Sequence, residues 1–166
     1  MTEIAQTAGV AIGSLYQYFS DKGSIMRALL ERHNAEVDRM MVADLAGVSS
    51  LNEFVDALEQ TYTTYFEQHQ RDPLFQSIWS AVQTDADLQA MDVQDTLSKA
   101  RYLHALALPL YRKVDSDALL TTCAVILQLA LSAARFALAL PEPLRSNSLT
   151  IYQGMTRAAL LGLEGE

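Results

Sequence analysis

Residues 1–22, MTEIAQTAGVAIGSLYQYFSDK, decide how this chain is read. Ile4, Ala5 and Ala8 stand at the i, i+1, i+4 spacing that gathers small apolar side chains on one face of a helix. Gly9 follows where such a helix must close through a left-handed residue, a conformation that glycine reaches without steric cost. Leu15 and Phe19, four apart, share an inner face of the next helix, while Ser14, Tyr16, Gln17 and Tyr18 largely point elsewhere. Asp21 is placed to cap a third helix. Two short amphipathic helices about a glycine turn have the geometry of a helix-turn-helix. In that unit the second helix enters the major groove of DNA.

The pattern Ile4-Ala5-x3-Gly9-Val10-x4-Leu15-Tyr16-x2-Phe19-x2-Lys22 resembles the signature of TetR-family transcriptional repressors. The resemblance implies an all-α fold, with a helix-turn-helix DNA-binding end and a helical ligand-binding and dimerisation body. It makes 12–18 the recognition helix. Ser14 and Tyr16 match positions that touch DNA, and Tyr18 matches one commonly aromatic or His with the same role. Lys22 matches a basic residue that meets a phosphate at the start of the next helix, and Thr2 a backbone contact at the start of the first. Hydroxyls and a lysine at a helix start suit phosphate oxygens, which fix register without reading sequence. Ala11, Ile12 and Gly13 offer no side-chain hydrogen bonds, so readout there rests on methyl contacts or close backbone approach. Gln17 is the side chain able to make a bidentate contact to adenine. The plainer alternative for Tyr16 and Tyr18 is packing on the adjoining helix.

In the family an additional helix and a short basic arm precede the pair, whereas here the sequence opens at Met1, inside the domain. Residues 1–33 carry Lys22, Arg27 and Arg32 against Glu3, Asp21 and Glu31 and are formally neutral. Phosphate neutralisation supplies most of the affinity of DNA-binding domains, which are normally basic. Met1 is therefore expected to be an internal methionine of a longer protein, and residues 1–166 alone to bind DNA weakly or not at all. Nanomolar, sequence-specific gel shifts by that piece would overturn this expectation. The reading frame upstream separates two cases: a basic amphipathic helix encoded there supports the regulator, and an immediate stop codon favours a helical dimerisation or ligand-binding module that has lost DNA binding.

The remainder reads as helices with short breaks. Asp21 opens a helix from Lys22 to about Met41 with Ile25, Leu29 and Leu30 inside, so residues 1–41 form the DNA-binding end and its linking helix, and 42–166 the body. Ser50 caps a helix to about Gln70, with Phe54, Leu58, Tyr62, Tyr65 and Phe66 in an aromatic-rich stripe. Asp72-Pro73 is an N-cap with proline at the first helical position, opening a short helix with Phe75, Ile78, Trp79 and Val82. A short turn from Asp85 to Met91 is expected, then a helix from about Val93 to Tyr111 that Pro109 kinks or ends. Ala118–Ala134 lacks charge altogether; Thr121, Thr122, Gln128 and Ser132 interrupt it, so a buried helix is preferred to a membrane span. A helix apolar on all sides must be covered on all sides, and this points to a partner subunit. Pro141 and Pro143 close that helix, and Ser146 or Ser148 opens the last, to about Leu163.

A chain of 166 residues, 50% hydrophobic, can bury a sizeable core. The net charge of −8 lies wholly outside residues 1–33 and keeps the body soluble and averse to nucleic acid. The one cysteine, Cys123, reads as a small buried hydrophobe in a reducing compartment. No secretory signal is read before the first helix, and a cytoplasmic location is expected. Dinucleotide, P-loop and zinc motifs are lacking, and no nucleophile–base pair stands out, so neither catalysis nor a cofactor or metal is expected. His33, His69 and His104 are far apart in sequence and read as surface or core. Glu59, Glu67 and Asp72 read as solvated-face carboxylates.

The resemblance further implies a small hydrophobic effector, bound between the linking helix and the dimer helices, whose binding releases the operator. Candidates for that cavity are Tyr62, Tyr65, Phe66, Phe75, Trp79, Met91, Tyr102, His104 and Phe136, with Tyr102 or His104 orienting the ligand. Simple core packing is the competing role for each. The last two long helices, rich in small residues, are assigned to a four-helix homodimer interface, which would set two recognition helices on a pseudo-palindromic operator in double-stranded DNA.

Overall fold

A computed structural model describes residues 1–163, apart from the side chains of Arg71 and Pro73; the last three positions of the expected body, 164–166, lie outside the described residues. Every regular element among them is helical. Helix α1 (Thr2–Ala8) ends on Gly9 at φ 68°, whose N–H donates to Gln6 O while Val10 N–H donates to Ala5 O. These two bonds make a Schellman closure. Helix α2 (Ile12–Tyr18) matches the expected recognition helix end to end. Asp21 then caps α3 (Lys22–Asp44): its Oδ1 accepts from Ser24 N–H at 2.7 Å, and Ser24 Oγ answers the Asp21 backbone. That reciprocal box starts a helix with little stabilisation of its own in the DNA end, where Ala5 is the only buried residue of α1 and α2.

The body is five long helices. They are α4 (Leu51–Arg71), α5 (Pro73–Thr84), α6 (Ala86–Ala107), α7 (Ser116–Ala139) and α8 (Leu144–Leu161). Ser50, Asp72, Asp85 and Asp115 cap α4 to α7 through side-chain oxygens. Two apolar centres hold them. One joins Met41, Phe54, Val55, Leu103, Leu119, Cys123 and Leu160, and is pinned by Tyr111, whose hydroxyl donates to Leu160 O at 2.8 Å. The other, nearer the DNA end, joins Leu30, Phe66, Phe75, Ile78, Trp79 and Val82. Cys123 is buried, and burial pushes its thiol up to about 12, as befits an inert packing residue.

Two boundaries differ from the sequence-based expectation. The separate turn over Asp85–Met91 does not exist, because α6 runs unbroken from Ala86 to Ala107 and hands over to a 3-10 turn at Leu108–Leu110. Asp92 has no glycine or proline beside it and turns inward instead of capping, so nothing stops the helix there. The last helix opens at Leu144, ahead of Ser146 and Ser148. Pro143 occupies its N-cap, and Ser146 Oγ is spent on Glu142 at 2.7 Å. Arg145 meanwhile folds back to donate to Leu140 O at 2.9 Å, which closes α7.

Candidate functional site

The first candidate surface is the outer edge of α1 and α2. Thr2, Ala11, Ile12, Gly13, Ser14, Tyr16, Gln17, Tyr18 and Lys22 are all exposed, Tyr16 at 51% and Tyr18 at 81%. Leu15 and Phe19 are partly buried on the opposite edge. Packing on a neighbouring helix therefore does not account for either tyrosine. A phenol left in water on a seven-residue helix contributes little to folding.

The second is a cavity in the body, about 90 Å³, walled by all six helices from α3 to α8. Helix α3 contributes His33, Asn34, Val37, Met40 and Met41, so the helix that follows α2 directly is one wall of it. Of the aromatic candidates, Tyr62, Tyr65 and Trp79 line it. Phe66 and Phe75 are buried in the adjoining apolar centre, and Met91 packs against that centre. Tyr102 packs on the other centre, His104 pairs with Ser116 Oγ at 3.0 Å, and Phe136 is an exposed side chain of α7. These six do not line the cavity. A stripe at helical spacing identifies the inward face of one helix, but which inward residues border a void depends on the helix opposite.

The cavity wall carries polar groups that the fold leaves unpaired. Tyr62 Oη, Tyr65 Oη and Trp79 Nε1 are buried with no hydrogen-bond partner among the described residues. Trp79 lies close enough to Tyr65 to favour its phenolate slightly, yet burial dominates and holds the Tyr65 hydroxyl well above its ordinary range. Tyr62 is pushed up for the same reason. Each such group costs about 1–3 kcal/mol while it stays unpaired. Its neighbour Tyr152, with ring centroids 4.3 Å apart, is satisfied: its hydroxyl donates to Ile126 O at 2.8 Å.

The residues missed from sequence are the charged and imidazole groups of this wall, His33, Asp92, Asp95 and Lys99, and the partners that hold the wall from behind. Lys99 is buried, donates to both oxygens of Asp95 at 2.5 Å and forms an ion pair with Asp38 at 3.0 Å, tying α6 to α3. Arg157 forks onto Glu59 at 2.8 and 2.7 Å and also meets Asp56, tying α8 to α4. Glu59 is thus no idle surface carboxylate. Asp92 lies buried in the wall; burial and neighbouring Asp95 hold its carboxyl above the usual range, and Lys99 opposes them. His33 and His69 meet although 36 positions apart, with Nδ1 of His33 3.4 Å from Nε2 of His69. His69 Nδ1 donates to Tyr65 O at 2.5 Å, so its Nε2 accepts from His33 and leaves His33 Nε2 an acceptor. Burial, then the neighbouring His69, takes His33 down to about 4. Among the described residues no group of three potential ligands forms that could hold a metal ion.

Residues 1–29 match the family model of bacterial regulatory proteins, tetR family, and residues 52–163 match that of the tetracyclin repressor-like, C-terminal domain. No curated protein and no solved structure matches the chain.

Proposed function

The chain belongs to the TetR family of transcriptional regulators, and from that premise we propose that it is a ligand-responsive repressor, binding a pseudo-palindromic operator as a homodimer and released by a small effector. Thr2, Ser14, Tyr16, Tyr18 and Lys22 would hold the phosphate backbone, and Gln17, with close approach at Ala11, Ile12 and Gly13, would read bases. Residues 1–41 would act as the DNA-binding unit and 42–166 as the effector and dimer unit, in the cytoplasm, without cofactor or catalysis. One observation carries the ligand response. The cavity shares α3 with the DNA end, so a molecule that reshapes the cavity tilts the helix on which α1 and α2 are mounted. Release then requires the effector to favour the non-binding state by a few kcal/mol.

The dimer reading rests on the outer face of α7 and α8, where Val125, Leu129, Phe136, Ile151 and Met155 are exposed beside Gly154, Ala158 and Ala159. Helix α7 is long and apolar enough to cross a membrane. A second α7–α8 pair is the better cover, because the inner side of α7 is already packed on α6 and α8. The test is selection of duplexes from a random pool by the protein made from its whole reading frame. Enrichment of a two-fold site is expected. Lys22→Ala should weaken binding to all sequences alike and lower the salt slope by about 1, whereas Gln17→Ala should relax base preference. Failure to enrich any sequence would favour a dimerisation module that no longer binds DNA.

A further inference from the structure

The geometry points to an organic amine as the occupant of the cavity: an apolar or aromatic body carrying a protonated nitrogen seated against Asp92. The inference rests on reading this cavity as the effector site. Its ground is an account of the charges in the wall. Glu59 has both oxygens on Arg157. Asp95 has both on Lys99, and the ammonium of Lys99, hydrogen-bonded to Asp95, is also ion-paired with Asp38 at 3.0 Å. Asp92, 7% exposed, receives no hydrogen bond from any described residue. One carboxylate in the wall is therefore left without a hydrogen bond or a direct ion pair, Lys99 acting on it only through space.

A carboxylate or phosphate ligand would find its only nearby lysine already occupied and would face Asp92 as a like charge. A neutral ligand would fill the space and leave the carboxylate buried and unpaired, which is the costly arrangement. An ammonium removes that cost. It also finds unpaired hydroxyl oxygens on Tyr62 and Tyr65 that accept its remaining N–H groups. Tyrosine faces attract it through the ring quadrupole, while one face of Trp79 is already taken by Arg135, 5.5 Å from the ring centre. The Trp79 N–H, a donor only, is then free for an acceptor atom elsewhere on the ligand.

The test uses three probes of one shape: 3-phenylpropylamine, 3-phenylpropanol and 3-phenylpropanoate. Each is titrated at neutral pH against the fluorescence of Trp79, the one tryptophan in the chain. The amine should bind at least about tenfold more tightly than the alcohol, and the carboxylate most weakly. Asp92→Asn should erase the amine's advantage and leave the alcohol unchanged, while Asp92→Glu should retain it, so a general loss of folding is distinguished from a loss of charge. An alcohol or carboxylate that binds as well as the amine overturns the inference and leaves the effector cavity standing. An amine preference that survives Asp92→Asn does the same. If none of the three perturbs Trp79, the effector-cavity reading itself falls and takes the amine with it.

Discussion

His33 shows how one side chain links the two ends of this molecule. It sits on α3 and borders the cavity, and it is held neutral by burial and by His69. An unfolded histidine titrates near 6.5, and His33 in the folded chain near 4. Between those values the unfolded chain binds more protons, so stability falls as pH drops through the window, by at most about 3 kcal/mol for this residue. His69, lowered mainly by burial, acts in the same direction. Asp92 and Asp95, both raised chiefly by burial, act oppositely just above the ordinary carboxylate range, because there the folded chain holds the extra protons. Urea unfolding at pH 7 and pH 5 should show a clear loss, reduced in His33→Asn. Equal losses in the two proteins would mean that His33 is not held neutral. The exposed edge of Tyr16 and Tyr18 was legible from spacing alone, whereas the histidine pair was not, since nothing local marks two positions that meet across helices.

At the scale of an element, caps and breakers explain both the successes and the two misses. Gly9, Asp21, Ser50 and Asp72 each end or start a helix through bonds spanning a few residues, and every one acts where its sequence context indicates. Asp85 also caps, but the helix it opens does not stop at Met91, because an aspartate inside a helical run is a cap only if the chain turns there. Asp21→Ala should cost about 1 kcal/mol, read as a lower midpoint in chemical unfolding. It should also speed amide exchange over the first turns of α3 more than in α4 to α8. Uniform exchange through all helices would show that the capping box does not govern α3 locally. The consequence reaches function, since α3 both carries the DNA end and walls the cavity.

For the whole molecule the governing fact is the face that the fold leaves uncovered. Ile151 and Met155 are 62% and 60% exposed on α8, close to the exposed Val125 and Leu129 of α7. On the proposed dimer these side chains are buried against a second copy, which is stabilising. The double variant Ile151→Asp, Met155→Asp should sediment as a monomer with unchanged helix content. Two linked recognition helices bind a two-fold site far better than one, so its operator affinity should drop by about 10²-fold or more. A variant that stays dimeric would place the interface elsewhere. Neither core of the body is in doubt from such a change, because the inner faces of α7 and α8 are separate from this one.

The all-α class, the helix-turn-helix, its outward edge and most helix starts followed from the sequence by itself, because each depends on a helical period or on a cap within four residues. The cavity did not. Two of its wall residues are held from far along the chain, His33 by His69 across 36 positions and Glu59 by Arg157 across 98. Whether a buried carboxylate is paired, as in Asp95, or left bare, as in Asp92, is settled only when six helices pack and each charge finds, or fails to find, a neighbour.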